Sequence, residues 1–348
     1  MRKIDSDYII NILKKKPCVL DVDWYRVIGF LFSHKVAGLF YCKAVQNGVA
    51  LPKKVESILR EKFLWQQRKV EFLREYCKEI SRALLDLNVK HAFVKGAVLS
   101  NLSIKERVYI DGERVSNDID IVAKLPDIDL VARALLELGY VQGYYDYSTG
   151  RIIEFNRLEK IKRRMNRGEL APFVKLSGNK EFPFVEIDVN FSLGNTPSEH
   201  KLLLEHLVDS AFVYEGDFSI SVLDKEEFFI HLLMHQYKES SLYFMVERTR
   251  DLDLYKLADI YYLCLKGLID LDRVFETAES FDIKNEVGVV LKQVGEIFQD
   301  KELIKQSKRY GKGRVEIKDY ISKKIYCYDC NWNKRIRCFS GSELLRGV

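Results

Sequence analysis

The stretch R-V-S-N-D-I-D-I-V-A-K-L, Arg114 to Leu125, sets two carboxylates two residues apart in a β-like run. Residues i and i+2 of a strand point to the same face, so Asp118 and Asp120 converge, while Ile119, Ile121 and Val122 mark the apolar side or the buried end. Two adjacent carboxylates repel, and a core tolerates them poorly without a cation between them. A hard divalent ion such as Mg²⁺ takes oxygen ligands of this kind and usually brings substrate phosphates with it. A solvated strand end would leave the same pattern, so the pair has to be read with its neighbours.

Upstream, H-A-F-V-K-G-A-V-L (His91 to Leu99) is an apolar run, then Lys95-Gly96, then a fresh apolar pattern. Glycine at a strand-to-helix junction lets backbone N–H groups approach a phosphate, and the helix start adds a favourable dipole. Lys95 offers a charge to the same phosphates. Downstream, F-P-F-V-E-I-D-V-N-F (Phe182 to Phe191) alternates, with Val185, Ile187 and Val189 on one face and Glu186, Asp188 and Asn190 on the other. A third acidic strand beside the first pair would complete a metal cage.

This order of features resembles the DNA polymerase beta-like nucleotidyltransferase superfamily. More closely, K-G-x-x-L, then R-x-S-x-D-I-D-I-V, then a hydrophobic-Asp-hydrophobic strand is similar to bacterial nucleotidyltransferase family proteins, over roughly Trp24 to Leu265. The resemblance implies that Asp118 and Asp120 bind two Mg²⁺ ions. Asp188 would be the third carboxylate, sharing the catalytic metal and favouring deprotonation of an acceptor hydroxyl. Gly96 would line the triphosphate of a bound NTP, most naturally ATP, with Lys95 beside it. Arg114 and Ser116 stand at the family's R-x-S and would touch phosphates. Two departures stand out: lysine precedes the glycine where the superfamily commonly has two small residues, and the charged segment between Gly96 and Asp118 is long. Asn190 stands where the bacterial branch often carries histidine.

At 348 residues, 47% hydrophobic and 31% charged, the chain is long enough for a sizeable core and two or three subdomains. Its longest apolar runs, such as V-I-G-F-L-F from Val27, fall far short of a membrane span, so no membrane partner is expected. An N-terminus with acidic residues and no long apolar stretch argues against a signal peptide. Seven cysteines without regular spacing argue for reduced thiols in a cytoplasmic setting. The net charge of +5 lies entirely in residues 311–348, which hold nine Lys or Arg against four Asp or Glu. Such a tail can bind phosphate backbones. Ile321, Ile325, Tyr326, Trp332 and Phe339 make it too apolar for a free arm, and a docked, structural tail is expected. A second basic cluster, Arg157 to Arg167, reads as a loop or short helix that either steers an anionic substrate or is simply solvated.

The expected fold is α+β, a nucleotidyltransferase-like mixed sheet core flanked by N-terminal and C-terminal helical subdomains. Residues 1–89 read as helical, including one or two long amphipathic helices from Lys54 to Leu87. Residues 90–197 form the core, with a mostly antiparallel run after Tyr140. Residues 198–310 read as helices again, and 311–348 as the basic tail. His231 and His235 share a helix face without a metalloprotease pattern, and His235 is a candidate border of the nucleotide pocket. Cys327, Cys330 and Cys338 lack the fourth ligand that structural zinc wants. The expected activity is transfer of a nucleoside monophosphate from an NTP to a hydroxyl or phosphate of a small molecule, peptide or protein. An RNA-directed transferase or toxin, and a non-catalytic nucleotide-binding protein of the same fold, are the alternatives.

Overall fold

Short β-branched runs broken by glycine and charged turns alternate here with long amphipathic stretches. The computed structural model describes residues 1–16, 21–87, 89–100, 108–311, 315–320, 322–328 and 331–338. In chain order the elements are α1 (Lys3–Leu13), α2 (Trp24–Ser33), α3 (Ala37–Gln46), α4 (Lys53–Leu85), β1 (His91–Val94), α5 (Gly96–Leu99), β2 (Ile119–Ala123), α6 (Ile128–Glu137), β3 (Val141–Asp146), β4 (Arg151–Glu154), α7 (Arg157–Arg167), β5 (Phe173–Leu176) and β6 (Phe184–Asn190). There follow α8 (Lys201–Asp209), β7 (Phe212–Glu215), β8 (Ser219–Val222), α9 (Lys225–Ser240), α10 (Tyr243–Glu247), α11 (Leu254–Leu265), α12 (Leu271–Ser280), α13 (Lys284–Ile297), α14 (Lys301–Ser307), β9 (Val315–Lys318), β10 (Ile325–Tyr328) and α15 (Trp332–Arg335). A mixed sheet and its separate groups of helices make this an α+β fold.

Two compact units interleave along the chain, one of Met1–Gln66, Gly112–Arg114 and Leu232–Val348, the other of Gln67–Asp111 and Val115–His231. The second holds the sheet, in the order β4-β3-β5-β6-β2-β1-β8-β7. β2 and β6 are its parallel central pair, with Asp120 opposite Asp188. β1 flanks β2 antiparallel and β5 flanks β6 antiparallel, so both acidic strands are fixed from either side. Every residue of β1 and β2 is buried, whereas β6 alternates buried and half-buried residues. Core strands covered on both faces read as continuous apolar runs, and one with an open face alternates. The part of α4 in this unit buries Val70, Leu73, Cys77, Ile80 and Leu84, and Ser81 Oγ donates to the Ser219 carbonyl of β8 at 2.8 Å.

The first unit is helical. Ile9, Leu13, Phe40, Leu257, Val290 and Phe298 lie in its core, where Tyr261 stacks on Phe298 with ring centres 4.2 Å apart. β9 and β10 pair as a two-stranded ribbon, and β9 is tied to the end of α9 through the Lys318 N–H and the Ser241 carbonyl at 2.8 Å.

One local expectation needs correction, and two others are made specific. Helices were expected from Ser198 onward, yet β7 and β8 form an antiparallel pair that joins the sheet beside β1. The helix expected after Lys95-Gly96 is a single turn in the described residues, too short for a useful dipole. Of the two readings of Arg157 to Arg167, loop or short helix, the helix holds, begun by a capping box between Asn156 and Glu159 and ended by Gly168 at a φ of 64°.

Candidate metal centre

The β2–β6 register brings Asp120 and Asp188 side by side, and Asp118 precedes β2 at the same end. One carboxylate oxygen from each of Asp118, Asp120 and Asp188 lies within 4.8 Å of the other two. Mg–O distances are about 2.0–2.1 Å, so two oxygens on one ion stand up to about 4.2 Å apart. Small side-chain rotations would bring these three onto shared ions.

Side-chain contacts hold the cluster. Lys95 Nζ donates to Asp120 Oδ1 at 2.7 Å, and Ser116 Oγ donates to Asp118 Oδ1 at 3.0 Å. Lys95 sits at the β1–α5 turn with a φ of 54°, a region that favours glycine. Its side chain thereby reaches back to Asp120, which is 2% exposed. Burial pulls the Lys95 ammonium down, but Asp120, Asp118 and Asp188 together hold it above the ordinary lysine value.

The charges do not balance. Burial, then the neighbouring Asp118 and Asp120, push the Asp188 carboxyl well above the ordinary carboxylate range, with Lys95 opposing. Glu186, two residues earlier on β6 and on the same face, is raised by burial and by Asp118, with Arg163 of α7 pulling the other way. Four carboxylates thus crowd one end of the central strands. An excess of hard oxygen donors suits a divalent cation, which is the test that a Mg²⁺ reading has to pass.

Gly96, Ser116 and Asp118 also line a small pocket together with Val70, Leu73 and Arg74 of α4. Arg74 Nη2 donates to the Ser100 carbonyl and to Asp111 Oδ1, both at 3.0 Å. Lys95, Gly96 and Ser116 therefore gather at the three aspartates. Arg114 and His235 belong to the other unit and have partners there. Arg114 Nε lies 3.1 Å from Asp259 Oδ1, both side chains are buried, and the guanidinium stacks over Tyr255 at 4.4 Å. Its expected phosphate contact is thus answered by an internal ion pair. His235 Nε2 is 3.4 Å from Glu239 Oε1.

Sequence reasoning left two nearby residues without a role. Glu186 was visible in the β6 alternation as sharing a face with Asp188. Lys69, one of several lysines in a long amphipathic helix, gave no local sign. A second acidic group, Asp224, Glu226 and Glu227, lies at the start of α9. There Asp224 Oδ1 accepts from the Lys225 N–H at 2.9 Å, Lys225 Nζ lies 3.5 Å from Glu226, and the acidic first turn suits the positive end of the helix dipole. Cys330 of the cysteine triplet lies outside the described residues, as do Ile321 and Phe339 of the tail.

A family model described as an uncharacterised nucleotidyltransferase matches residues 21–299. That span is most of the chain, which belongs to this family. No curated protein and no solved structure matches it.

Proposed function

We propose that this protein is a Mg²⁺-dependent nucleotidyltransferase that moves a nucleoside monophosphate from an NTP, ATP foremost, to a hydroxyl or phosphate acceptor. The observation that carries the reading is the meeting of Asp118, Asp120 and Asp188 within 4.8 Å at the central strand pair. Asp118 and Asp120 would hold two Mg²⁺ ions, and Asp188 would share one of them. When bound, the ions offset charge on the transferred phosphoryl group. The protein's part is orientation. Lys95 fixes Asp120, Ser116 fixes Asp118, and Gly96 leaves room for the triphosphate. For a hydroxyl acceptor, the α–β phosphoanhydride bond breaks, the acceptor oxygen bonds to the α-phosphorus and pyrophosphate leaves. The hydroxyl proton passes to an Asp188 carboxylate oxygen.

Incubation with α-phosphate-labelled NTPs, Mg²⁺ and cell extract tests this reading and sorts acceptors by the fraction that gains label. Label that appears equally with Asp118→Asn would overturn it.

An RNA acceptor is a second reading, favoured by α7. This helix has six Lys or Arg and no buried residue. Arg163 is also felt at Glu186 beside the aspartates. A steep fall of RNA affinity with salt would support it.

A further inference from the structure

Lys69, on α4, lies over two aromatic rings, with Nζ 4.9 Å from the centre of Phe72 and 5.0 Å from that of Phe182. The residue is 8% exposed, and Phe182 is buried with it. Four other basic groups of this unit have acidic partners: Arg68 bonds Glu181, Arg74 bonds Asp111, Lys95 bonds Asp120 and Lys175 bonds Glu79. Lys69 has no hydrogen bond or ion pair among the described residues. The carboxylate it feels is Asp118 of the metal cluster. Its neighbour Val70 and, one turn on, Leu73 and Arg74 line the pocket that also contains Gly96, Ser116 and Asp118.

Burying an ammonium without a paired anion is costly, and the faces of two rings offset only part of that cost. Burial accordingly pushes Lys69 down to about 8, against the pull of Asp118. A desolvated cation beside a cluster that would hold metal ions lacks one component, an anion that arrives with the substrate. We infer that Lys69 is a substrate-binding residue whose ammonium takes the polyphosphate of the incoming nucleotide, with Phe72 and Phe182 fixing its position. This rests on the nucleotidyltransferase reading and adds a contact that the D-x-D and K-G motifs do not contain.

Calorimetric binding of Mg–ATP and Mg–tripolyphosphate to the full-length protein, without an acceptor, tests the inference. Lys69→Met should weaken both ligands by about tenfold or more, as loss of a charge-assisted phosphate contact would. Lys69→Arg should retain most of the affinity. The Met variant should also melt higher than wild type, because it removes a desolvated charge. A structural lysine predicts the reverse pattern, a lower melting temperature with unchanged affinity. Lys69→Met that binds both ligands as wild type does would overturn the inference and leave the nucleotidyltransferase reading standing. The same holds if ATP weakens but tripolyphosphate does not, since the contact is then with the nucleoside. If Met and Arg variants both lose binding and melt lower, the loss of binding follows from damage to the fold and the inference fails. Folded wild type that binds neither ligand would overturn the reading beneath it as well.

Discussion

At the scale of single residues the candidate site is an unbalanced charge cluster, and its members differ in what they do for the fold. Asp120 is buried and bonded to Lys95, whereas Asp188 faces two like charges. Both Asp120→Asn and Asp188→Asn should lower transfer by about two orders of magnitude or more, because metal ligation is lost. Their stabilities should diverge in the metal-free protein. Asp188→Asn relieves repulsion and should raise the melting temperature, while Asp120→Asn strands the Lys95 ammonium and should lower it. Thermal melts in chelator would expose the difference, and equal shifts would contradict this account. The D-x-D spacing made Asp118 and Asp120 visible in the sequence. Their unequal energetics depend on Lys95, 25 residues away in sequence, and no local pattern encodes that. A second residue-scale prediction concerns His34. Its Nε2 donates to the Ile336 carbonyl at 3.2 Å while Nδ1 accepts the Leu254 N–H at 3.3 Å, an arrangement that fits only the neutral ring. Burial lowers its pKa to about 4, with Asp253 opposing and Arg335 adding to the effect. An unfolded histidine titrates near 6.5, so between these values the unfolded chain binds the extra proton. Stability should therefore be lost as pH falls from about 6.5 to about 4, by on the order of 3 kcal/mol. His34→Gln should flatten that part of a denaturation-versus-pH curve, and an unchanged slope would assign the loss to other groups.

At the scale of elements, β6 is the clearest case of sequence dictating both fold and site. Val185, Ile187 and Val189 are fully buried, and the residues between them carry the polar face. Ile187→Ala should cost about 2–5 kcal/mol in stability, since a buried methyl-rich side chain is lost from a central strand. It should also weaken metal binding, because Glu186 and Asp188 flank it and Phe173 and Ile119 are its strand partners. Denaturant melts and Mg²⁺ titration read the two effects separately, and a stable variant with normal metal affinity would refute the coupling. The β7–β8 pair leaves only a weak trace in the sequence. F-V-Y-E and S-I-S-V are strand-like runs on either side of Gly216-Asp217, a hairpin signal lost amid the surrounding helical periodicity. The β1–α5 turn was not legible, because a lysine at positive φ breaks the local rule that glycine belongs there. Its position follows from a tertiary contact, the bond to Asp120.

At the scale of the whole molecule, sequence order and compact units do not coincide. Gly112–Arg114 joins the helical unit, where Glu113 pairs with Lys43 and Arg114 with Asp259. Such pairing over 70 and 145 residues of separation lies beyond any reading of local pattern. The basic tail shows a similar effect. It carries the chain's entire net charge, yet its described part is docked in the helical unit. Trp332 is buried, Asn333 Nδ2 donates to the Glu296 carbonyl at 2.9 Å, and the N-terminal ammonium donates to the Arg337 carbonyl at 2.9 Å. Arg335 is 2% exposed and ion-paired with Asp251, while Lys323 and Lys324 are exposed. Arg335 and the two lysines therefore should not behave as one patch. Arg335→Met leaves the Asp251 carboxylate buried without its guanidinium and should cost about 3–5 kcal/mol, with part recovered in Arg335→Met/Asp251→Leu. Lys323→Gln and Lys324→Gln together should leave melting unchanged. If they also leave the salt dependence of RNA affinity unchanged, the tail is a structural element. A loss of about 0.7 in slope for each lysine would instead make these two exposed residues phosphate contacts on an otherwise docked segment.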